Sequence, residues 1–344
     1  MKIGIVGATG YSGAELLRIL QVHPEFSITS LYTSSQHGKN IEEHYPHLTG
    51  LIPQKLEEID PAKMAKETDL IFLATPSGIA SKLAPQLVEN GCSVIDLSGD
   101  FRIKNQAEYE QWYKKEAANS FWLEEAVYSL PELNREKAKG ARFISNPGCY
   151  PTATILGLAP LVQEKLLTEN SIIIDAKSGV SGAGQSASLA TIYSELNENL
   201  KVYKVNQHQH IPEIEQMLGS LGYESPITFQ THLVPMTRGI MATIYGNIDT
   251  KVTKNEIWEL YQQAYADEPF VRLRKLGTFP TTKEVAGSNC CDIGIDFDER
   301  TSRVTIVSVI DNLMKGAASQ AVQNANIMFG FDETLGLQFS PVYP

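Results

Sequence analysis

The sequence predicts a two-domain protein: an α/β unit on a mostly parallel sheet, then an α+β unit on a mixed sheet, with a last helix returning to the first unit. Three observations carry that expectation. Strand-like apolar runs alternate with helical patterns in the first part, a glycine triplet separates the first strand from the first helix, and strands beyond Cys149 are longer and alternate apolar with polar residues. A length of 344 residues exceeds one ordinary core and suits two. The expected division is 1–148, with 313–344 packing back on it, and 149–312.

In the first part, Ile3–Val6 reads as a short buried strand and Ala14–Val22 as a helix with Leu16, Leu17 and Leu20 on one face. Further strands are expected at Ser27–Tyr32, Leu70–Ala74, Val94–Leu97 and Arg142–Ser145, ending in turn-forming stretches such as Thr75-Pro76-Ser77-Gly78 and Asn146-Pro147-Gly148. Ligands of open α/β sheets collect beyond the carboxyl ends of the strands, so these loops are the ones to read for function. Strands of the second part are expected at Ile172–Ala176, Ile227–Leu233, Met241–Ile248 and Val304–Val309, and Gly316–Phe329 reads as the final helix.

Composition excludes several classes. An apolar fraction of 42% and a charged fraction of 20% are close to globular averages and exclude a disordered chain. A formal charge of −11 argues against nucleic-acid or anionic-membrane partners, which need a basic surface. No run of ~18 apolar residues predicts a membrane span, and Met1-Lys2-Ile3-Gly4 enters a strand at once, leaving no room for a signal peptide. Cys92, Cys149, Cys290 and Cys291 are too few for a disulfide framework and contain no zinc-type pair, so reduced thiols in a cytoplasmic, metal-free protein are expected.

Gly7-Ala8-Thr9-Gly10-Tyr11-Ser12-Gly13 follows the first strand and opens the first helix. A tight turn, close backbone approach and helix N-terminal amides together suit a pyrophosphate, which makes Gly7, Thr9, Gly10, Tyr11, Ser12 and Gly13 candidate dinucleotide contacts. A ligand-free strand–helix turn is the competing reading. About 20 residues on, where NAD enzymes usually place a carboxylate for the ribose, the second strand ends in Thr33-Ser34-Ser35-Gln36, with Lys39 beyond. Hydroxyls and a lysine favour a 2′-phosphate, so Ser34, Ser35 and Lys39 point to NADP(H) over NAD.

The most informative stretch is Ser145-Asn146-Pro147-Gly148-Cys149-Tyr150-Pro151-Thr152. A strand ends, Pro-Gly turns, and Cys149 lands at the head of a helix whose first turn can hold Pro151. A helix N-terminus favours thiolate over thiol, and amides of the same turn can hold an oxyanion, with Asn146 as a possible further donor. Most lone cysteines are inert core residues, which is the reading for Cys92, Cys290 and Cys291.

With the opening glycine loop, Asn-Pro-Gly-Cys-Tyr-Pro-Thr resembles the N-acetyl-gamma-glutamyl-phosphate reductases. The resemblance continues through Leu97–Arg102, Ser129–Glu132, Lys177–Gly184, His208–Ile214, Leu233–Gly239 and Lys315–Ala318. It implies the fold of aspartate-semialdehyde and glyceraldehyde-phosphate dehydrogenases, with a Rossmann-type NADP-binding domain, and a cytoplasmic NADP(H) enzyme that is a homo-oligomer, a tetramer or dimer. It further implies cofactor contacts at Thr75, Pro76, Ser178, Gly179 and Asn312. One departure is Gln36, where the family often has Arg after the paired serines.

A thiolate nucleophile needs an acid–base partner. His208 and His210 precede Pro212 at the start of a helix, with Glu213 available to orient a ring, and the resemblance makes one of the pair catalytic, with His208 favoured. Spacing does not choose between residues two apart. His23, His44 and His47 read as surface residues, His37 lies beside the cofactor loop, and His232 is an outside candidate. An acyl phosphate bearing a carboxylate needs cationic contacts, for which Arg102, Arg238 and Lys177 are candidates, with Ser145 near the turn; a structural ion pair is the alternative for each. The implied reaction is NADPH-dependent reduction of N-acetyl-L-glutamyl 5-phosphate through a thioester on Cys149, releasing inorganic phosphate. Other acyl phosphates (aspartyl, or carrier-bound aminoadipyl) and a non-catalytic NADP-sensing protein are the alternatives.

Overall fold

The first strand of the computed structural model, which describes residues 1–343, is β1 (Lys2–Val6), buried along all but its first residue. It feeds α1 (Tyr11–Leu20), whose Leu16, Leu17, Ile19 and Leu20 pack inward at helical spacing. Then follow β2 (Ser27–Thr33), β3 (Leu56–Glu58), β4 (Leu70–Leu73), α2 (Ala80–Glu89), β5 (Ser93–Asp96), β6 (Val127–Tyr128) and β7 (Phe143–Ser145). These strands form one sheet in the order β3-β2-β1-β4-β5-β7-β6, and every pairing is parallel. The strand order reverses between β1 and β4, which is the switch point of a doubly wound Rossmann-type sheet. Continuous apolar runs such as Leu70-Ile71-Phe72-Leu73, buried at every position, are what a sheet covered on both faces requires.

The second unit is built around α3 (Cys149–Gln163), buried from Tyr150 to Val162. It packs on a seven-stranded mixed sheet ordered, from one edge, Val271–Leu273, Cys291–Asp298, Arg303–Ile310, Ile240–Asn247, Ile173–Ser178, Thr228–Leu233 and Lys201–Tyr203. In chain order, the elements after α3 are β8 (Ile173–Ser178), β9 (Lys201–Tyr203), α4 (Ile211–Ser220), β10 (Thr228–Leu233) and β11 (Ile240–Asn247). They continue with α5 (Lys254–Ala264), β12 (Val271–Leu273), β13 (Cys291–Asp298) and β14 (Arg303–Ile310). Burial alternates along β11, so one face meets α3 and the other does not. A β-carbon at Gly157 of α3 would stand 3.0 Å from Ile244 of β11, so glycine is what allows the close approach there. Pro160 lies inside α3 and cannot donate to the Leu156 carbonyl. That carbonyl accepts from the Tyr265 hydroxyl instead, and the Gly157 carbonyl accepts from Tyr261 at 2.5 Å.

A π-turn over Met314–Ala318 leads into α6 (Ser319–Met328). The compact units are Met1–Pro147 with Ala317–Gln338, and Gly148–Gly316 with the tail from Phe339. The returning segment is therefore narrower than the expected 313–344. Residues 313–316 stay with the second unit through bonds of Leu313 and Met314 to Asp311, and the tail is held there by Val342, whose amide donates to the Ala286 carbonyl. The final helix also starts later than Gly316, because the π-turn precedes it. Among the described residues, no helix is long and apolar enough to cross a membrane.

Candidate active site

Cys149 is the first residue of α3, with Gly148 as its N-cap in extended conformation. The buried Glu213, in the first turn of α4, accepts the Gly148 amide at 2.8 Å, so a carboxylate fixes the turn just before the cysteine. The Thr152 hydroxyl donates to the Gly148 carbonyl at 2.9 Å from the other side. Against the cysteine itself lies Gly316: a β-carbon there would stand 2.7 Å from the Cys149 Cβ. The cysteine is partly exposed, and its turn supplies the helix N-terminal amides that favour a thiolate.

Cys149 opens on a cavity of about 450 Å³ within the second unit, which Tyr150, Tyr203, His208 and His210 also line. The hydroxyls of Tyr150 and Tyr203 are 3.0 Å apart, and burial raises both phenols, so they remain protonated hydrogen-bond donors. Tyr150, Tyr203 and Phe229 set their rings edge-on to His208 at centroid distances of 5.4, 5.8 and 5.5 Å. Within this aromatic cage the His208 imidazole falls to about 3, first from burial and then from the charge of Lys204. Its Nδ1 accepts from the His210 amide at 3.2 Å, which leaves Nε2 as the protonated nitrogen of a neutral ring. The His210 ring lies 4.8 Å from that of His208.

The other expected residues divide between the units. Asn146 and Ser145 are fully buried in the first unit. The Asn146 amide group donates to the Ala317 carbonyl at 3.3 Å, and its Oδ1 accepts from Asn324 at 3.0 Å. Arg102 places Nε on the Asn146 carbonyl and Nη2 on that of Leu97, each at 2.8 Å, bracing the ends of two strands. In the second unit, Lys177 pairs with Asp175 at 2.7 Å and Arg238 with the buried Asp311 at 3.1 Å. Ser178 and Gly179 line the cysteine cavity, whereas Asn312 is buried on the Gly239 amide and the Ser181 hydroxyl. His232 bonds Asp175 at 3.0 Å and does not line that cavity.

His23 corrects a surface reading: it is 6% exposed, stacked on Phe26 at 4.2 Å, and bonded to Asn326 and the Leu335 carbonyl at 3.1 Å. His44 is half-buried, with Nε2 3.1 Å from the Thr9 carbonyl, and His47 and His37 are exposed. Cys92 is buried against Thr68, and burial pushes its thiol up to about 11. Cys291 is buried beside Ser308.

The glycine loop fits a dinucleotide on its own geometry. Gly7 sits at φ +85°, where a β-carbon would stand 2.3 Å from the Ala74 carbonyl oxygen, just before Thr75 and Pro76. A β-carbon at Gly13 would lie 2.3 Å from the Gly7 carbonyl oxygen, so glycine permits the helix to press on the turn. At Gly10 a β-carbon would meet only the Gly7 carbonyl oxygen, at an ordinary 3.5 Å, and no side chain caps α1, which leaves its first amides for an anion. Ser34, Ser35 and Lys39 are exposed beyond the end of β2.

Family models match both units: a semialdehyde dehydrogenase NAD binding domain over residues 2–141 and a semialdehyde dehydrogenase dimerisation domain over residues 149–312. The N-acetyl-gamma-glutamyl-phosphate reductase of Geobacillus thermodenitrificans is 59% identical over 345 residues, and that of Bacillus subtilis 58% over 348, each alignment covering 100% of both chains. The chain belongs to the N-acetyl-gamma-glutamyl-phosphate reductase family. Aspartate semialdehyde dehydrogenase II from Vibrio cholerae in complex with ASA matches with a TM-score of 0.71 at 18% identity, over 95% of this chain and 97% of that one. The aspartate semialdehyde dehydrogenase with NADP from Candida albicans matches with a TM-score of 0.71 at 18% identity, over 95% and 98%. At that identity the reductase family shares a fold with these enzymes, and the likeness carries no more.

Sequence reading of this reductase-family chain missed several residues that line the cysteine cavity or touch Cys149, and one beside the glycine loop of the first unit. Lys201 and Tyr203 enter the wall from an edge strand whose pairing is long-range, and Lys204 from the residue just after it. Gly316 meets Cys149 across 167 positions of chain, beyond any local pattern. Tyr45, whose hydroxyl pins the Thr9 carbonyl at 2.7 Å, carried no signal beyond its neighbour His44.

Proposed function

We propose that this chain catalyses the NADPH-dependent reduction of N-acetyl-L-glutamyl 5-phosphate to N-acetyl-L-glutamate 5-semialdehyde with release of inorganic phosphate, the reductive step towards arginine, through a thioester on Cys149. The observation that carries the reading is Cys149 at the head of α3, opening on a cavity lined by two histidines. Full-length identity of 58–59% to reductases of that name supports the substrate.

In the first step the Cys149 thiolate attacks the acyl carbon, the S–C bond forms, and the C–O bond to phosphate breaks with the electron pair leaving on phosphate. First-turn amides of α3 stabilise the oxyanion of the tetrahedral intermediate, and Glu213 holds that turn in place through Gly148. Gly7–Gly13 with the uncapped α1 would hold the pyrophosphate of NADP(H), and Ser34, Ser35 and Lys39 its 2′-phosphate. The bound nicotinamide supplies the hydride that takes the acyl group to the aldehyde oxidation level. A proton delivered to the oxygen, and its return as the C–S bond breaks, frees the aldehyde and regenerates thiolate.

The acid–base residue for these transfers is His210. His208 is caged by aromatic rings with its imidazole held near 3, too low to cycle as an acid near neutrality. It contributes a fixed Nε2–H donor instead. The test is phosphate-dependent reduction of NADP by N-acetyl-L-glutamate 5-semialdehyde. Turnover with this aldehyde far above that with aspartate semialdehyde is the expected result, and cofactor binding without turnover on either aldehyde sinks the proposal.

A further inference from the structure

We propose that Lys204, with Lys201 beside it, is the cationic clamp of the cysteine cavity and holds an anionic oxygen group of the substrate, either its carboxylate or the phosphate it exchanges. The inference rests on the acyl-phosphate reading above and deepens it. Such a substrate is multiply anionic while the chain carries −11, so local cations must overcome a repulsive background.

The basic residues expected from sequence to meet those charges are committed elsewhere. Lys177 and Arg238 pair with Asp175 and Asp311, and Arg102 lies in the other unit on backbone carbonyls. Lys201 and Lys204 differ: both line the cavity that holds Cys149, and neither forms an ion pair among the described residues. The ammonium of Lys204 donates to the neutral side-chain amide of Gln209, itself in the cavity wall. Its charge is felt inside, where it adds to the depression of the His208 imidazole, and its own ammonium is lowered by burial.

Position ties the clamp to the reacting sulfur. Lys201 and Tyr203 are two apart in β9 and project to the same face. Tyr203 reaches the hydroxyl of Tyr150 at 3.0 Å, and Tyr150 follows Cys149 in α3. Backbone conformation points the same way: Lys204 sits at φ +47°, a left-handed position that costs energy for a lysine, and Asn206 at φ +53°, a position asparagine takes readily. Lys204, four positions before the first of the histidine pair, is thus held in a conformation that local preference does not supply.

The experiment compares the parent with Lys204→Met, Lys204→Arg and Lys201→Met. Steady-state rates with N-acetyl-L-glutamate 5-semialdehyde, phosphate and NADP are one readout, and calorimetric binding of inorganic phosphate and of N-acetyl-L-glutamate is the other. Lys204→Met is expected to raise one KM by roughly 10–100-fold with kcat changed by less than about threefold, as loss of a charge-assisted hydrogen bond implies. Lys201→Met gives a smaller rise, and Lys204→Arg retains most of the affinity. A rise in KM for the aldehyde, with weaker N-acetyl-L-glutamate binding, assigns the carboxylate; a rise in KM for phosphate, with weaker phosphate binding, assigns the phosphate. Lys204→Met with both affinities within twofold of the parent overturns the proposal. Absence of turnover in the parent counts against the catalytic reading instead, while the binding arm still decides whether Lys204 holds an anion.

Discussion

The two helix starts that matter in this chain, at α1 and at α3, are built alike and differ in what stands on them. Each follows a parallel strand through a glycine-containing turn and has a glycine N-cap without a side-chain cap. At α1 the glycines remove side chains, so that Gly7 and Gly13 can touch backbone at distances no β-carbon tolerates and the amides are left to an anion. At α3 the same opening carries a thiol at the first position, with Glu213 holding the turn from one side and Gly316 packed against the cysteine from another. On the proposed reading, one geometry would serve a bound pyrophosphate in the first case and a developing oxyanion in the second.

Breaking the α3 start produces the largest expected effects. Cys149→Ala should lower kcat by about 10⁴-fold or more, because no other group supplies the covalent step, while NADP(H) affinity measured by fluorescence titration stays within about threefold. His210→Asn should cost about 10²–10⁴-fold in kcat. His208→Asn should cost less, and the reverse ranking would return the acid–base role to His208. Gly316→Ala forces a methyl to 2.7 Å from the Cys149 Cβ and should lower kcat by about 10²-fold, as a displaced nucleophile does, with KM little changed.

At the α1 start the expected effect is on binding and stability. Gly13→Ala places a β-carbon 2.3 Å from the Gly7 carbonyl oxygen, so it should destabilise the fold by about 1–3 kcal/mol in chemical denaturation and weaken NADP(H) binding. Unchanged cofactor affinity in a folded Gly13→Ala protein would remove the pyrophosphate role from this turn.

The smallest effect sharpens the contrast between the units through pH. In each unit burial shifts a group that titrates in the acid range: Asp96, raised to about 6 by burial and the nearby Asp100, and His208, lowered to about 3. For Asp96 the folded value lies above the unfolded one, so its contribution is full below about 4 and is lost as pH rises through about 6. For His208 the folded value lies below the unfolded one, so its contribution is present above about 6.5 and is lost as pH falls towards about 3. Asp96→Asn should therefore gain on the parent in melting temperature as pH rises from 4 to 8. A gap between the two that does not change with pH would show Asp96 ionised throughout.

Much of this was legible in sequence where the signal is local. The nine expected strands, the first helix, the glycine loop and the cysteine turn each lie within a short window whose periodicity or turn residues dictate the backbone, and the ends of those strands fall within about two residues of the pattern, whereas β3, β6, β9, β12 and β13 were not expected. What escaped depends on contacts across the chain. His23 reads as polar surface until residues 326 and 335 arrive to bury it. Arg102 and Arg238 look like anion binders until strand ends and a buried aspartate claim them. Lys201 and Lys204, in a segment with no strong periodicity, belong to the cavity only because β9 pairs with β10.

The central claim is an acyl group carried on Cys149. Intact-protein mass spectrometry after mixing the enzyme with N-acetyl-L-glutamyl 5-phosphate, without NADPH, tests it directly. One acyl adduct per chain, mapped to Cys149, formed with one equivalent of phosphate and discharged on adding NADPH, is the result the mechanism predicts. No adduct on Cys149, with NADPH still oxidised at the full rate when substrate and cofactor are combined, would contradict it.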